Sequence, residues 1–270
     1  MVKEKIKKIL RRLTGQDYLE IVTRGNSAIT SALSIITKDK KVLIPEEGGW
    51  LSYRTIPKTL GLEIIEVKCN DSKIDLHDLE KKLVEQECGV FIYQNPGGYF
   101  AEQLQEEIHK ICKKEKCLVV VDVSGSIGTE LCNGKFADIL VGSFGKWKLV
   151  EAHTGGFISA DCKKIWDPMS KNLKLLEDET GLLKILQKLE ELPQRIKFLL
   201  EVRDKIIQDI ENLPIVHKND LGFVVVVKYS NMTEKEKIIN YCNKNKLEWT
   251  ECPRYIRLNR NAISIEVKRL

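Results

Sequence analysis

Five short stations in this 270-residue chain put glycine or polar residues where a strand ends or a helix begins. Arg24-Gly25-Asn26-Ser27-Ala28-Ile29 opens a helix, offering backbone N–H groups and two short polar side chains at its positive end. Such an opening suits a phosphate group, and it equally makes an ordinary N-cap. Gly48-Gly49-Trp50 follows a strand, so the indole either lies flat on an aromatic ring or packs over the sheet edge. In Gln94-Asn95-Pro96-Gly97-Gly98 the Pro and Gly residues make a turn, from which Asn95 would donate a hydrogen bond into the crevice beyond the strands. Val119-Val120-Val121-Asp122 ends the most apolar strand and puts a carboxylate at the mouth of the sheet, where ligands bind. Asp122 there needs a partner; it would serve a ligand, hold Mg²⁺ or cap the following turn. The fifth station is Gly142-Ser143-Phe144-Gly145-Lys146-Trp147-Lys148, with Ser143 five residues before Lys148 and Gly155-Gly156 beginning seven after it.

The elements that must carry these stations alternate. Apolar strand-like runs at Lys41–Ile44, Glu63–Val67, Gly89–Tyr93, Cys117–Val123, Ala137–Val141 and Gly156–Ser159 surround helix-like runs at Asn26–Ile36, Asp75–Val84 and Ala101–Lys114. Strands separated by helices of this length imply a mainly parallel sheet covered on both faces. From Ser170 to Leu213 the pattern is helical, with breaks near Gly181 and Pro193. A compact unit follows: strand Phe223–Tyr229, helix Thr233–Asn245 with Thr233 and Glu236 as a capping box, and strands around Tyr255–Leu258 and Ala262–Val267. The expected division is a large domain over 1–168, a helical connector over 169–214 and a small C-terminal α/β domain over 215–270.

Two nucleotide-binding readings fail. No Gly-x-Gly-x-x-Gly follows any strand. Gly128–Lys135 imitates a P-loop, but it has one residue too many, and Phe136 stands where Ser or Thr would bind Mg²⁺. It reads as a turn with Asn133-Gly134 at its tip. The net charge of +5 is spread out except for the basic opening Lys3–Arg12, where Ile6, Ile9, Leu10 and Leu13 at helical spacing predict an amphipathic surface helix rather than a nucleic-acid site. The eight cysteines contain no Cys-x-x-Cys pair, so free thiols in a reducing cytoplasm are expected, and no metal. No apolar run approaches a membrane span, and the charged N-terminus does not read as a secretory signal.

In this order the stations resemble those of the fold-type I pyridoxal 5′-phosphate (PLP) enzymes, the aspartate aminotransferase superfamily, and within them the DegT-like sugar aminotransferases. The resemblance is clear from Gly25 to Ser159 and loose in the C-terminal unit. It implies that Gly25, Asn26, Ser27 and Ser143 hold the cofactor phosphate, that Trp50 stacks on the ring, and that Asn95 bonds its phenolic oxygen. Asp122 would pair with the pyridinium nitrogen, and Lys148 would be the Schiff-base lysine forming the internal aldimine, with Lys146 its competitor. Arg257 would grip a substrate carboxylate from the small domain. The implied activity is transfer of an amino group from a small amino donor to a carbonyl or keto-sugar acceptor by a homodimer. The alternatives are a PLP-dependent lyase or desulfurase, for which Cys132 and Cys162 are the open candidates, and a non-catalytic PLP-fold protein. His153 reads as a satisfied loop histidine.

Overall fold

The computed structural model describes residues 2–270. In chain order the first half comprises α1 (Val2–Thr14), β1 (Tyr18–Val22), α2 (Gly25–Leu33), β2 (Lys41–Pro45), α3 (Ile56–Thr59), β3 (Ile64–Val67), β4 (Cys69–Asn70), β5 (Lys73–Ile74), α4 (Leu76–Glu85), β6 (Cys88–Gln94) and α5 (Gln105–Lys114). Then follow β7 (Leu118–Asp122), β8 (Ile139–Ser143), β9 (Gly156–Ala160), α6 (Lys163–Ser170), α7 (Glu179–Glu190), α8 (Leu192–Asp209), β10 (Val225–Lys228), α9 (Met232–Lys244), β11 (Trp249–Cys252) and β12 (Ala262–Ile265).

Seven strands form one sheet in the order β1-β9-β8-β7-β6-β2-β3. Within it β8, β7, β6, β2 and β3 pair in parallel, while β4 and β5 form a separate antiparallel pair. Between β8 and β9, residues 144–155 hold no helix to carry a crossover, and β9 accordingly runs antiparallel to β8 and to β1. Side chains of the central strands alternate between two buried layers. Phe91, Tyr93, Val119, Val121 and Leu140 join the layer that includes residues of α1, α4, α5, α7 and α8. Val90, Ile92, Val120, Ile139 and Val141 join the opposite layer, with α2, α3 and α6. This two-sided burial is why these strands read as continuous apolar runs. A second sheet, β10-β12-β11, is antiparallel.

Several details depart from the sequence reading. The edge strand β1 was not expected, whereas the basic N-terminal helix is amphipathic as expected, with Ile6 and Leu10 fully buried and Ile9 and Leu13 packed against the core. Gly181 does not interrupt a helix; it lies in the first turn of α7, its N–H bonded to Asp178 Oδ2 at 2.8 Å, and the breaks fall at residues 171–178 and at Glu191. The cap of α9 is Asn231, not Thr233: Asn231 Oδ1 accepts from Glu234 N at 2.9 Å, and Glu234 Oε2 accepts from Ser230 N at 2.7 Å. The box sits two residues earlier because Asn231 already meets the exposed N–H group. Tyr255–Leu258 forms a turn, and the strand is Trp249–Cys252.

Candidate active site

Strands β7 and β8 end side by side, with Asp122 opposite Val141. Asp122 is buried; its Oδ2 accepts from the Tyr53 hydroxyl at 2.8 Å and its Oδ1 from Ser124 N at 2.9 Å. Burial, and then the neighbouring Asp122 charge, push the Tyr53 hydroxyl well above the ordinary tyrosine range, so it remains a donor to this carboxylate. Ser143 closes β8. Its N–H donates to Ser124 Oγ at 2.9 Å, and its Oγ accepts from Gly145 N at 3.2 Å, leaving the hydroxyl proton free to donate.

The start of α2 crosses directly over these strand ends. A Cβ on Gly25 would lie 2.7 Å from Ser143 Cβ, and one on Gly156 would lie 2.5 Å from the Gly142 carbonyl oxygen and 2.8 Å from Gly25 N. Glycine at 25 and 156 is therefore what lets the helix N-terminus approach Ser143. In front of this crossing lies a cavity of about 270 Å³. Its wall includes Gly25, Asn26, Trp50, Asp122, Ser124, Ser143 and Lys148, together with Arg24, His153 and Gly155.

Of the residues singled out from sequence, the structure thus gathers Gly25, Asn26, Trp50, Asp122, Ser143 and Lys148 on one surface. Trp50 is held there by its Nε1 donating to Asn26 Oδ1 at 3.1 Å. Lys148 Nζ donates to the Tyr99 hydroxyl and lies 5.0 Å from the Trp50 ring centroid. Lys146 is not in the wall, and its ammonium rests 4.4 Å over the Trp147 ring instead.

Three expected residues lie elsewhere. Ser27 spends its hydroxyl on Thr23 Oγ1 at 2.9 Å and its N–H on the Arg24 carbonyl at 3.0 Å, because the first turn of α2 closes on itself there. Asn95 is buried behind the wall, with Oδ1 accepting from Gln103 N at 3.0 Å and Nδ2 without a partner. The carboxylate clamp expected of Arg257 is corrected to an internal ion pair: its Nη2 bonds both oxygens of Glu266, at 2.9 and 2.7 Å, and its Nε bonds Ser264 Oγ at 3.0 Å. A buried guanidinium needs a carboxylate, and Glu266 on the adjacent strand end meets that need within the fold.

Other residues of the site escaped the sequence reading. Tyr53 and Tyr99 touch Asp122 and Lys148 from 69 and 49 positions away, and no local pattern marks them. Gln94, paired with Asp122 across β6 and β7, carries another buried amide nitrogen without a partner. His153 is a loop residue that lines the cavity at a backbone φ of 62°, with Glu151 3.8 Å away. No cysteine lines the cavity; Cys132 is buried, its thiol pushed up to about 12 by that burial, and Cys162 opens α6.

The fold is shared with solved aminotransferases. The Helicobacter pylori aminotransferase PseC superposes with a TM-score of 0.79 at 16% identity, over 98% of this chain and 85% of that one. NtdA from Bacillus subtilis, solved with bound PMP, gives 0.78 at 16% identity, over 98% and 72%. Ureidoglycine–glyoxylate aminotransferase from the same organism gives 0.74 at 14%, over 98% and 78%. No curated protein sequence matches the chain. The family model for aminotransferase class I and II, however, matches residues 12–259. The chain belongs to the class I and II aminotransferases, the PLP-dependent transferases of fold type I.

Proposed function

We propose that Lys148 Nζ is the amine that bonds the cofactor aldehyde in this aminotransferase, and that the amino group passes to a keto sugar or another small carbonyl compound. The observation that carries this reading is the convergence of Lys148, Asp122, Ser143 and Gly25 on one cavity, with Lys146 outside it. The residues present fit PLP. Ser143 offers a hydroxyl and α2 its N–H groups to a phosphate, and Asp122 offers a buried carboxylate to a ring nitrogen. When bound, PLP supplies an aldehyde for an amine and a ring that withdraws electrons from the substrate Cα.

Asp122, fixed by Tyr53 and Ser124, holds a proton at the ring nitrogen. Trp50, anchored on Asn26, keeps the ring plane fixed, and Lys148 carries a proton to and from the substrate Cα. A keto-sugar acceptor is supported by the internal pairing of Arg257, which withdraws that arginine from substrate carboxylates, and by the role of PseC in pseudoaminic acid biosynthesis. The proposed protein is a cytoplasmic homodimer whose second copy covers the exposed wall at Arg24, Asn26 and His153; its free cysteines suit that compartment. No described helix is long and apolar enough to cross a membrane. We propose a division of labour between a cofactor domain over 1–168, a connector over 169–214 and a small domain over 215–270.

Incubation with PLP, borohydride reduction and peptide mapping test the reading. The label is expected on Lys148; a label on Lys146, or none, would overturn it.

A further inference from the structure

Tyr99 follows the Asn95–Gly98 turn and occupies the left-handed region at φ 70°, which an aromatic residue rarely adopts. Its backbone is fixed there: the N–H donates to the Pro96 carbonyl at 3.0 Å, and the carbonyl accepts from Phe223 N at 2.8 Å. The residue is buried, and its ring lies so close to Gly125 that a Cβ there would sit 2.7 Å from a ring carbon. Three cations surround the ring: Lys148 Nζ at 4.8 Å from the centroid, Lys268 Nζ at 4.9 Å and the Arg257 guanidinium carbon at 5.1 Å. Of these, the hydroxyl is bonded to Lys148. Lys268 and Arg257 are instead tied to Glu266, at 3.3 and 2.7 Å. The ring is thus a fixed partition between a buried ion cluster and the amine of the cavity.

We propose that Tyr99 is a positioning residue for Lys148, its hydroxyl accepting one N–H of the free amine and so leaving the nitrogen lone pair turned toward the cavity. This rests on Lys148 being the cofactor-bonding lysine. A neutral amine has two N–H groups and one lone pair. Fixing an N–H on Tyr99, with the Trp50 ring on another side at 5.0 Å, restricts where the lone pair points. In the attachment reaction that lone pair adds to the aldehyde carbon, a C–N double bond forms, and the aldehyde oxygen leaves with two protons as water. No electrons are gained or lost. Tyr99 raises the rate by holding the nucleophile, and it takes no part in holding the phosphate or ring.

The test compares Tyr99→Phe with the wild type, both as apoprotein. Phenylalanine keeps the ring, its packing on Gly125 and its place among the cations, and removes only the hydroxyl. Rapid-mixing absorbance measures covalent capture of PLP. Equilibrium binding of 4′-deoxypyridoxine phosphate, which has the ring and phosphate but no aldehyde, reports the integrity of the cavity and of the fold. The expected result is capture slowed by about tenfold or more, with analogue affinity changed less than about twofold. Capture at the wild-type rate overturns the proposal. So does a parallel loss of capture and analogue binding, which would assign Tyr99 to packing alone. Borohydride mapping of the wild type separates the two ideas: no label on Lys148 removes the assignment of the lysine itself, whereas a label on Lys148 with unchanged capture in Tyr99→Phe removes only the role of Tyr99.

Discussion

Replacing Glu266 with glutamine would remove the charge on which the cluster behind Tyr99 is built. The carboxylate is fully enclosed, with Arg257 at 2.7 Å, Lys268 at 3.3 Å, Arg269 at 3.5 Å and the Thr250 hydroxyl at 2.8 Å. Burial alone would raise its pKa, but Arg257, then Lys268 and Thr250, outweigh it and hold the carboxyl at about 2. The Lys268 pKa is lowered as well, which for an amine disfavours the charged form: burial pushes it down to about 7 despite Glu266, and Arg257, Lys148 and Arg269 add to the lowering. Arg257 is therefore the main partner of Glu266. A glutamate lowered this far below its ordinary range contributes about 3 kcal/mol at neutral pH. Removing one member of a buried ion pair costs roughly 3–5 kcal/mol by general experience, in line with that figure. The lowered pKa also sets the sign of the pH dependence. The contribution is complete above the unfolded-state pKa and is lost as pH falls toward the folded value of about 2. Urea unfolding at pH 7 should thus show Glu266→Gln less stable by about 3 kcal/mol, and the gap should narrow as pH falls below about 4.5. A gap under about 1 kcal/mol at pH 7, or one that stays constant on acidification, would refute the reasoning.

Two further outcomes follow from the cavity. Asp122→Asn keeps volume and an acceptor for the Tyr53 hydroxyl, so it should retain the cofactor; amino-donor half-reactions followed by absorbance should slow on the order of a hundredfold or more, and near-normal rates would take Asp122 off the ring nitrogen. Sedimentation of the PLP-loaded protein should give a dimer, because the Arg24, Asn26 and His153 wall is exposed in one copy, and a monomer with full cofactor occupancy would contradict this.

The chain's own spacing already determined the sheet and the stations on it. Central strands such as Leu118–Asp122 are buried on both faces, so the positions before the final aspartate are apolar and the run stands out. Ser143, Lys148 and Gly155 lie on one short segment, so their separation along the chain fixes which of them can face the cavity. Edge strands lacked that signal. Tyr18-Leu19-Glu20-Ile21-Val22 and Trp249-Thr250-Glu251-Cys252 mix polar with apolar residues, and they are strands because β9 and β12 pair with them.

What only the tertiary structure decided is the partner of each charged or hydroxyl group. Arg257 alone in sequence is as good a substrate clamp as it is an internal ion; the arrival of Glu266 beside it across the small sheet settles its place. Tyr99 and Tyr53 acquire meaning only when the turn after β6 and the loop after β2 are brought to the ends of β7 and β8. The reason is physical. Burial acts on each residue through its own side chain and leaves a periodic trace, whereas a hydrogen bond or ion pair depends on a second group whose distance along the chain is unconstrained.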